Sequence, residues 1–335
     1  MINFIKIENN SSVPKYKQII DSTIEAIDRN DIKVNQKMPS LTQICKHFDL
    51  SRDTVLMAYN DLKAKGILIS MPGKGYYLNK LATGQVHNVF VLFDKFTAYK
   101  EILYDSIKEH FGKNVVVDIF FHHYNPAVFQ TLVEQSIGKY TEYIVMPIPS
   151  KTVHDVLSLI PKDKLFILDM GLRLYGQTYA SVCQNFKEDI YNGLCSGSDL
   201  LMKYKKLTLI FPETGHTPNA LKKGFVQFCK DKGFDFDVVD KPYEEKIRQE
   251  EAYIVIEDKH LVRLVQYAKK INLTLGKELG IISYNDTPLK SIVSDGITTI
   301  STDFALMGKT IAEMIINKKK DHIENPGSLI RRGSL

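Results

Sequence analysis

No stretch of this 335-residue chain approaches the ~20 consecutive apolar residues of a membrane-spanning helix. Residues 1–10 lack the basic segment and apolar run of a secretory signal. Cysteines are few: Cys45, Cys183, Cys195 and Cys229 are widely separated and form no C-x-x-C pair. They imply neither a zinc knuckle nor a disulfide framework, and read as small buried apolar side chains in a reduced, cytoplasmic setting. G-x-S-x-G, H-E-x-x-H and Walker-type loops are also missing. With them goes the support for a nucleophile, a metalloprotease helix or a nucleotide-hydrolysing loop, and no catalytic residue, metal or cofactor is expected.

What is present is ordinary globular usage, with 44% hydrophobic and 25% charged residues. The length suits two domains or three lobes. The net charge of +5 is unevenly placed. Residues 1–80 carry twelve Lys/Arg against eight Asp/Glu, whereas the rest carries 32 against 31. Such asymmetry points to a small nucleic-acid-facing module on a near-neutral body.

The apolar spacing of Tyr16, Ile19, Ile20, Ile24 and Ile27 predicts a helix over 13–30, with Pro14 in its first turn, Ser11 or Ser12 as its cap and Asn30-Asp31 at its end. Ser40 and Gln43 have capping-box spacing at the start of a second helix. Ser51 caps a third, whose stripe is Val55, Ala58, Tyr59 and Leu62 and whose terminator is Gly66. Ile67–Ile69 and Tyr76–Leu78 flank the turn Pro72-Gly73-Lys74-Gly75 as a hairpin. Three helices and a hairpin make a winged helix-turn-helix. In such a fold the start of the recognition helix meets base edges in the major groove. The expected DNA contacts are Ser40, Ser51, Arg52 and Thr54, with Gly73, Lys74 and Gly75 at the wing. An Arg forks onto guanine or grips a phosphate, and glycines permit close approach to the backbone.

Pro14, Tyr16, Gln18, Ile19, Pro39, Ser40, Ile44, Ser51, Arg52, Thr54, Val55, Ala58, Tyr59, Leu62, Gly66, Gly73 and Gly75 follow the order of a family pattern. The stretch from Pro14 to Leu78 resembles a GntR-family DNA-binding domain. That family often places a basic residue directly after the Val of its "T-V" pair, where this chain has Leu56. The resemblance therefore puts more of the readout on Arg52.

Beyond a polar linker at 81–86, strands are predicted at 88–93, 115–120, 142–146, 164–168, 206–211, 235–239, 252–256 and 279–283. Helices are predicted between them at 99–112, 127–139, 151–160, 187–204, 217–232, 243–250 and 259–272, with a last one at 304–318. Strand–helix alternation implies parallel sheets, here two doubly wound lobes facing one cleft, with ligands bound at strand carboxyl ends. The fold class is α/β: a winged helix-turn-helix over 1–80 and a two-lobed body over 87–335. The residues crowning the strands include Asp94, Lys95 and Phe96, then Pro147 and Pro149, Asp169, Glu213 to His216, Glu257-Asp258 and Tyr284-Asn285-Asp286. Carboxylates, amides and aromatic faces are what a sugar requires, and the alternative for each carboxylate is a helix N-cap.

"E-D-K-H-L-V" (257–262), "I-I-S-Y-N-D" (281–286), "T-T-I-S-T-D-F-A-L-M-G" (298–308) and "L-I-R-R-G-S" (329–334) stand in family order. On them the body resembles a LacI-type effector domain, periplasmic-binding-protein-like in fold. The resemblance implies lobe 1 at about 87–185 and 302–321, and lobe 2 at about 186–301 and 322–335, with crossings near 185–187, 300–302 and 320–324. It maps ligand positions onto Asp94, Asp169, Asn185, Asp258 and Asn285, with Phe96 and His216 as flanking candidates. Leu221 stands where the family has a sugar-gripping Arg, and Lys222, Lys223 or His216 are candidates to replace it. Joined to a GntR reader, this body resembles an arabinose-repressor type of regulator. That implies a homodimer, a near-palindromic double-stranded operator, no membrane association, and release by a monosaccharide such as a pentose or deoxyhexose. A phosphorylated sugar or another small polar metabolite is the alternative. An aminotransferase-like fusion enzyme, a transported sugar-binding protein and the other GntR sensor classes fit the length and strand content less well.

Overall fold

The computed structural model describes residues 2–335 apart from 30, 34, 66, 80–86, 113–114, 138, 149, 171–177, 213–215 and 245–246. Asn30 and Gly66 as helix ends, the linker at 81–86, Pro149 and the stretch 213–215 lie outside the described residues. The chain divides into an N-terminal unit over its first 88 residues and a larger unit comprising most of the remainder.

The first unit contains α1 (Lys15–Asp28), α2 (Leu41–Phe48), α3 (Arg52–Ala64) and a hairpin of β1 (Leu68–Met71) and β2 (Gly75–Leu78). The capping box of α2 forms in both directions: Gln43 N donates to Ser40 Oγ at 3.2 Å, and Ser40 N to Gln43 Oε1 at 2.8 Å. Ser51 Oγ caps α3 by accepting from Thr54 N at 3.2 Å. The expected serine cap of α1 does not form. Pro14 takes the N-cap position, and Ser11 instead accepts from Val13 N at 3.2 Å, upstream of the helix. Ile19, Ile44, Val55, Ala58, Tyr59 and Leu62 close one core. The Tyr59 hydroxyl donates to Pro39 O at 2.7 Å, which ties α3 to the break before α2. The hairpin runs in register from Leu68↔Leu78 to Met71↔Gly75. Its loop turns on positive φ at Gly73 (71°) and Gly75 (104°), where a side chain would be strained.

Among the described residues the second unit contains two six-stranded sheets. The first holds β3 (His87–Phe93), β4 (Val115–Phe121), β5 (Glu142–Val145), β6 (Leu165–Asp169), β7 (Ala180–Gln184) and β13 (His322–Asn325), in the order β13-β7-β6-β5-β3-β4. The second holds β8 (Lys206–Ile210), β9 (Asp235–Val239), β10 (Glu251–Val255), β11 (Leu279–Tyr284), β12 (Thr298–Thr302) and β14 (Gly327–Ile330), in the order β14-β12-β11-β10-β8-β9. The two orders are the same pattern, although β14 is antiparallel to β12 whereas β13 is parallel to β7. The helices are α4 (Ala98–Phe111), α5 (Pro126–Ser136), α6 (Lys151–Leu157), α7 (Phe186–Ser196), α8 (Ser198–Leu201), α9 (Asn219–Lys232), α10 (Asp258–Lys270) and α11 (Phe304–Ile316). Each lobe has a close helix pair. A Cβ at Gly308 of α11 would fall 2.7 Å from Leu103 O of α4, and one at Gly224 of α9 would fall 2.3 Å from Lys187 O of α7. Only glycine permits both approaches.

Four strands were not expected: β7, β12, β13 and β14. Thr298-Thr299-Ile300-Ser301-Thr302 carries too little apolar surface to read as a buried strand, yet all five residues are buried. Their hydroxyls are satisfied internally: Thr298 Oγ1 donates to Arg332 O at 3.0 Å and Thr302 Oγ1 to Pro326 O at 3.2 Å. The helix expected over 187–204 is two, interrupted at Gly197. At 243–250 the described residues form no α-helix.

The chain passes between the sheets three times: at Asn185 between β7 and α7, at Asp303 between β12 and α11, and at Pro326 between β13 and β14. The third passage corrects the expectation of 320–324, and with it the second lobe's return at 322. His322–Asn325 is a parallel neighbour of β7 and still belongs to the first sheet. The passages are bonded to one another. Asn325 Nδ2 donates to Thr302 Oγ1 at 2.8 Å and to Asp303 O at 2.9 Å, while Asn185 Nδ2 donates to Glu324 Oε2 at 2.9 Å.

Candidate functional site

In each sheet the first strand lies inside the second, so the strand order reverses and leaves a crevice at the carboxyl ends. The two crevices face one another across a cavity of about 290 Å³. Its walls come from residues at or just beyond the ends of β3, β4, β6 and β7 on one side, and of β8, β10 and β11 on the other.

The first-sheet wall is charged. Asp94, at the end of β3, is buried and receives the Lys100 ammonium, the Tyr124 hydroxyl and the backbone N–H of Lys95. Lys100 is itself buried, and desolvation lowers its pKa to about 8, against the attraction of Asp169. Asp169, at the end of β6, is held at φ 65° and accepts from Gln184 Nε2. Burial raises its pKa, with Lys100 and the Gln184 bond pulling the other way. Tyr124 reaches Asp94 from a turn in which His123 and Tyr124 both have positive φ (48° and 58°). His122 braces that turn. It accepts from Tyr124 N through Nδ1 at 3.1 Å and its Nε2 lies 3.1 Å from Met146 O; desolvation lowers its pKa to about 4, leaving it neutral.

The second-sheet wall is largely apolar, formed by Phe186, Pro218, Leu221 and Ile256. Its polar groups are His216, Thr217, Glu257, Tyr284 and Asn285. The Tyr284 hydroxyl donates to Gln184 Oε1 at 3.2 Å and so joins the two lobes. Asn285 is held at φ 60°, and its buried Oδ1 has no hydrogen-bond partner among the described residues. Buried Lys290 places this loop by donating to Tyr284 O at 3.1 Å and Asn285 O at 2.7 Å. At the mouth, Tyr124 stacks on His216 from the opposite lobe with centroids 4.1 Å apart and planes 11° apart.

The structure brings Asp94, Asp169, His216 and Asn285 of the expected ligand residues to this cavity. Three others it places elsewhere. Phe96 is 62% exposed and packs edge-on against Phe121. Asn185 turns toward Glu324 at the first passage, and its neighbours Gln184 and Phe186 line the cavity instead. Asp258 opens α10 with a 64%-exposed side chain, paired with Lys290 at 2.9 Å, while Glu257 before it faces the cavity. Leu221 is buried in the wall, and no Arg lines the cavity among the described residues. Asp286 is structural, gripped by both Arg332 nitrogens at 2.7 Å. Tyr99, Lys100, Tyr124 and Gln184 went unrecognised as site residues in the sequence. Lys100 lies six residues beyond Asp94 on α4, where a lysine ordinarily reads as a solvated charge, and Gln184 lies on the unexpected strand β7.

In the N-terminal unit, Ser51, Arg52 and Thr54 open α3. Arg52 is exposed and has no ion pair among the described residues. The Ser51 and Thr54 hydroxyls lie 2.8 Å apart and engage each other. Ser40 is exposed but committed to its capping box. Gly73, Lys74 and Gly75 are exposed at the hairpin tip.

Residues 15–78 match the family model of bacterial regulatory proteins, gntR family, and residues 202–335 that of a periplasmic binding protein-like domain. Over 78 residues the chain is 32% identical to the HTH-type transcriptional repressor YtrA of Bacillus subtilis, and over 97 residues 29% identical to the uncharacterised HTH-type transcriptional regulator YdfD of the same organism. These alignments cover 23% and 29% of this chain, and 60% and 19% of those relatives. The trehalose repressor from Escherichia coli is similar in structure, with a TM-score of 0.62 at 13% identity over 73% of this chain and 99% of that one. A dimeric lac repressor bound to operator and an anti-inducer gives 0.60 at 17% identity over 76% of this chain and 96% of that one. At such identities the likeness is one of fold.

Proposed function

We propose that this chain, which joins a GntR-family DNA-binding domain to a periplasmic-binding-protein-like domain of the fold seen in the trehalose and lac repressors, is a transcriptional regulator whose DNA affinity is set by a neutral monosaccharide in the interlobe cleft. The observation that carries this reading is the cleft itself: two opposed crevices at strand carboxyl ends, in a chain that also holds a winged helix with an exposed Arg52. Asp169 and the open acceptor of Asn285 suit hydroxyl donors, and Tyr124 and Phe186 offer aromatic faces to C–H surfaces. Among the described residues the lining has no arginine, and Lys100, its buried cation, is already held by Asp94, so a neutral sugar fits better than a phosphate.

In this reading the winged helix occupies 1–80, a linker follows at 81–86, and the effector domain runs over 87–335. The protein works as a cytoplasmic homodimeric repressor on a near-palindromic operator, and carries no catalysis. The names of the structural relatives support sugar-triggered regulation. A sugar that prefers one lobe arrangement shifts the population of the DNA-binding form; a swing from 1:99 to 99:1 requires about 5.5 kcal/mol of preference.

The test is a thermal-shift panel of monosaccharides and their phosphates, followed by mobility-shift titration with the responsive sugar. A specific ligand raises the melting temperature by linkage and changes operator affinity. A panel in which only phosphates stabilise the protein, or a sugar that stabilises it without altering DNA binding, overturns the reading. Arg52→Ala is expected to lose operator selectivity while leaving the thermal shift intact.

A further inference from the structure

We propose that Leu56, flanked by Met57, is a specificity residue that reads thymine methyl groups in the operator beside the Arg52 contact; this rests on the DNA-binding reading above. The inward stripe of α3 is Val55, Ala58, Tyr59 and Leu62, all fully buried. Leu56 and Met57 lie off that stripe. Leu56 is half-buried and Met57 is 53% exposed, and neither belongs to the N-terminal core cluster. A single exposed apolar side chain needs no explanation. Here exposed Met57 stands beside Leu56, which is partly covered yet outside the core cluster, on the helix whose first turn carries Arg52, unpaired among the described residues.

Position decides the occupant. Leu56 is four residues after Arg52, so both lie on one face, a single turn apart. A side chain there enters the groove wherever Arg52 does. Leucine neither donates nor accepts, so guanine, cytosine and adenine edges give it nothing and lose water against it. The thymine C5-methyl is the one apolar feature of the major-groove edge. The neighbouring Ser51 and Thr54 hydroxyls share one hydrogen bond at 2.8 Å, so only one of them keeps a free donor. Arg52 on a guanine with Leu56 on an adjacent thymine is therefore the pairing this helix face supports.

The test uses the full chain. A duplex is enriched from a random pool, and each thymine of the enriched site is replaced in turn by uracil, which removes only the methyl. Binding is read by fluorescence anisotropy. At one or two positions next to the guanine whose contact is lost in Arg52→Ala, uracil is expected to weaken binding about fourfold per methyl. Leu56→Ala, outside the N-terminal core cluster, is expected to stay folded at the assay temperature, bind more weakly, and no longer distinguish thymine from uracil there. Leu56→Val is expected to keep part of the discrimination. Equal binding of thymine and uracil duplexes by the parent, or undiminished discrimination by Leu56→Ala, overturns this inference alone. Enrichment of no sequence at all overturns the DNA-binding reading, and this inference with it.

Discussion

The two walls of the cleft are built on the same strand order, yet they differ in chemistry. The first-sheet wall is charged and answers its own needs: Lys100 is bonded to Asp94 and attracted by Asp169, Tyr124 closes on Asp94, and Gln184 closes on Asp169. The second-sheet wall is apolar around Leu221 and Ile256, and leaves the Asn285 acceptor open. A satisfied network is rigid before a ligand arrives, because breaking any member strands a buried charge. An open acceptor on an apolar wall gains only when a donor enters. Damage to the first wall should therefore be felt by the fold, and damage to the second by the ligand.

The largest effect is expected from Lys100→Met, which leaves buried Asp94 without its ion-pair partner and Asp169 without the cation that attracts it. Chemical denaturation should show a loss of about 3–5 kcal/mol. A variant as stable as the parent would remove the distinction between the walls. Next comes Asn285→Ala. Calorimetry with the responsive sugar should show about tenfold weaker binding, whereas stability without sugar should change little, the loss of an unsatisfied acceptor offsetting the strain of alanine at φ 60°.

A smaller effect is expected at the passage between the walls. Asp189 of α7 is buried with Oδ2 unpartnered among the described residues, and desolvation, reinforced by Glu324, raises its pKa to about 7. For an acid whose pKa is raised by folding, the stabilisation present below the ordinary carboxyl range is lost as pH rises from about 4 to about 7. Asp189→Asn should thus raise the melting temperature by about 2–4 °C at pH 8 and leave it unchanged near pH 4. An equal gain at both pH values would rule out this titration. The smallest effect is expected from Asp258→Ala. Its half of the Lys290 pair is exposed, and Lys290 keeps both carbonyl partners. Sugar affinity should fall less than about threefold.

The winged helix was legible almost residue by residue, because its elements are local: the Ser40–Gln43 box, the Ser51 cap and the Gly73/Gly75 turn each act within a few residues. The serine cap of α1 failed for an equally local reason, Pro14 having taken the cap position. The strand–helix alternation of the body was legible wherever strands were apolar runs. It was not legible at β12, whose buried hydroxyls find partners at Pro326 and Arg332, or at β13, a four-residue strand recruited to the first sheet. The cleft was half legible. Asp94, Asp169 and Asn285 crown strands visible in the sequence, whereas Gln184 and Lys100 needed the packing of β7 and α4 to be recognised. Asp258 showed the opposite error: a carboxylate at the right place in the chain turned to a lysine 32 positions further on.

By itself, the sequence determined the two-part organisation, the recognition helix and its polar first turn, and the alternation that yields opposed parallel sheets. These rest on periodicity, capping and charge placement, which act over a few residues and survive in one dimension. Only the tertiary structure decided which carboxylates face the cleft, which cation neutralises them, and where the chain passes between the lobes. Those depend on burial and on partners far apart in the chain, such as Tyr284 with Gln184 and Asn185 with Glu324. A carboxylate's role is set by the charge and solvent it meets after folding, and the chain does not carry that information locally.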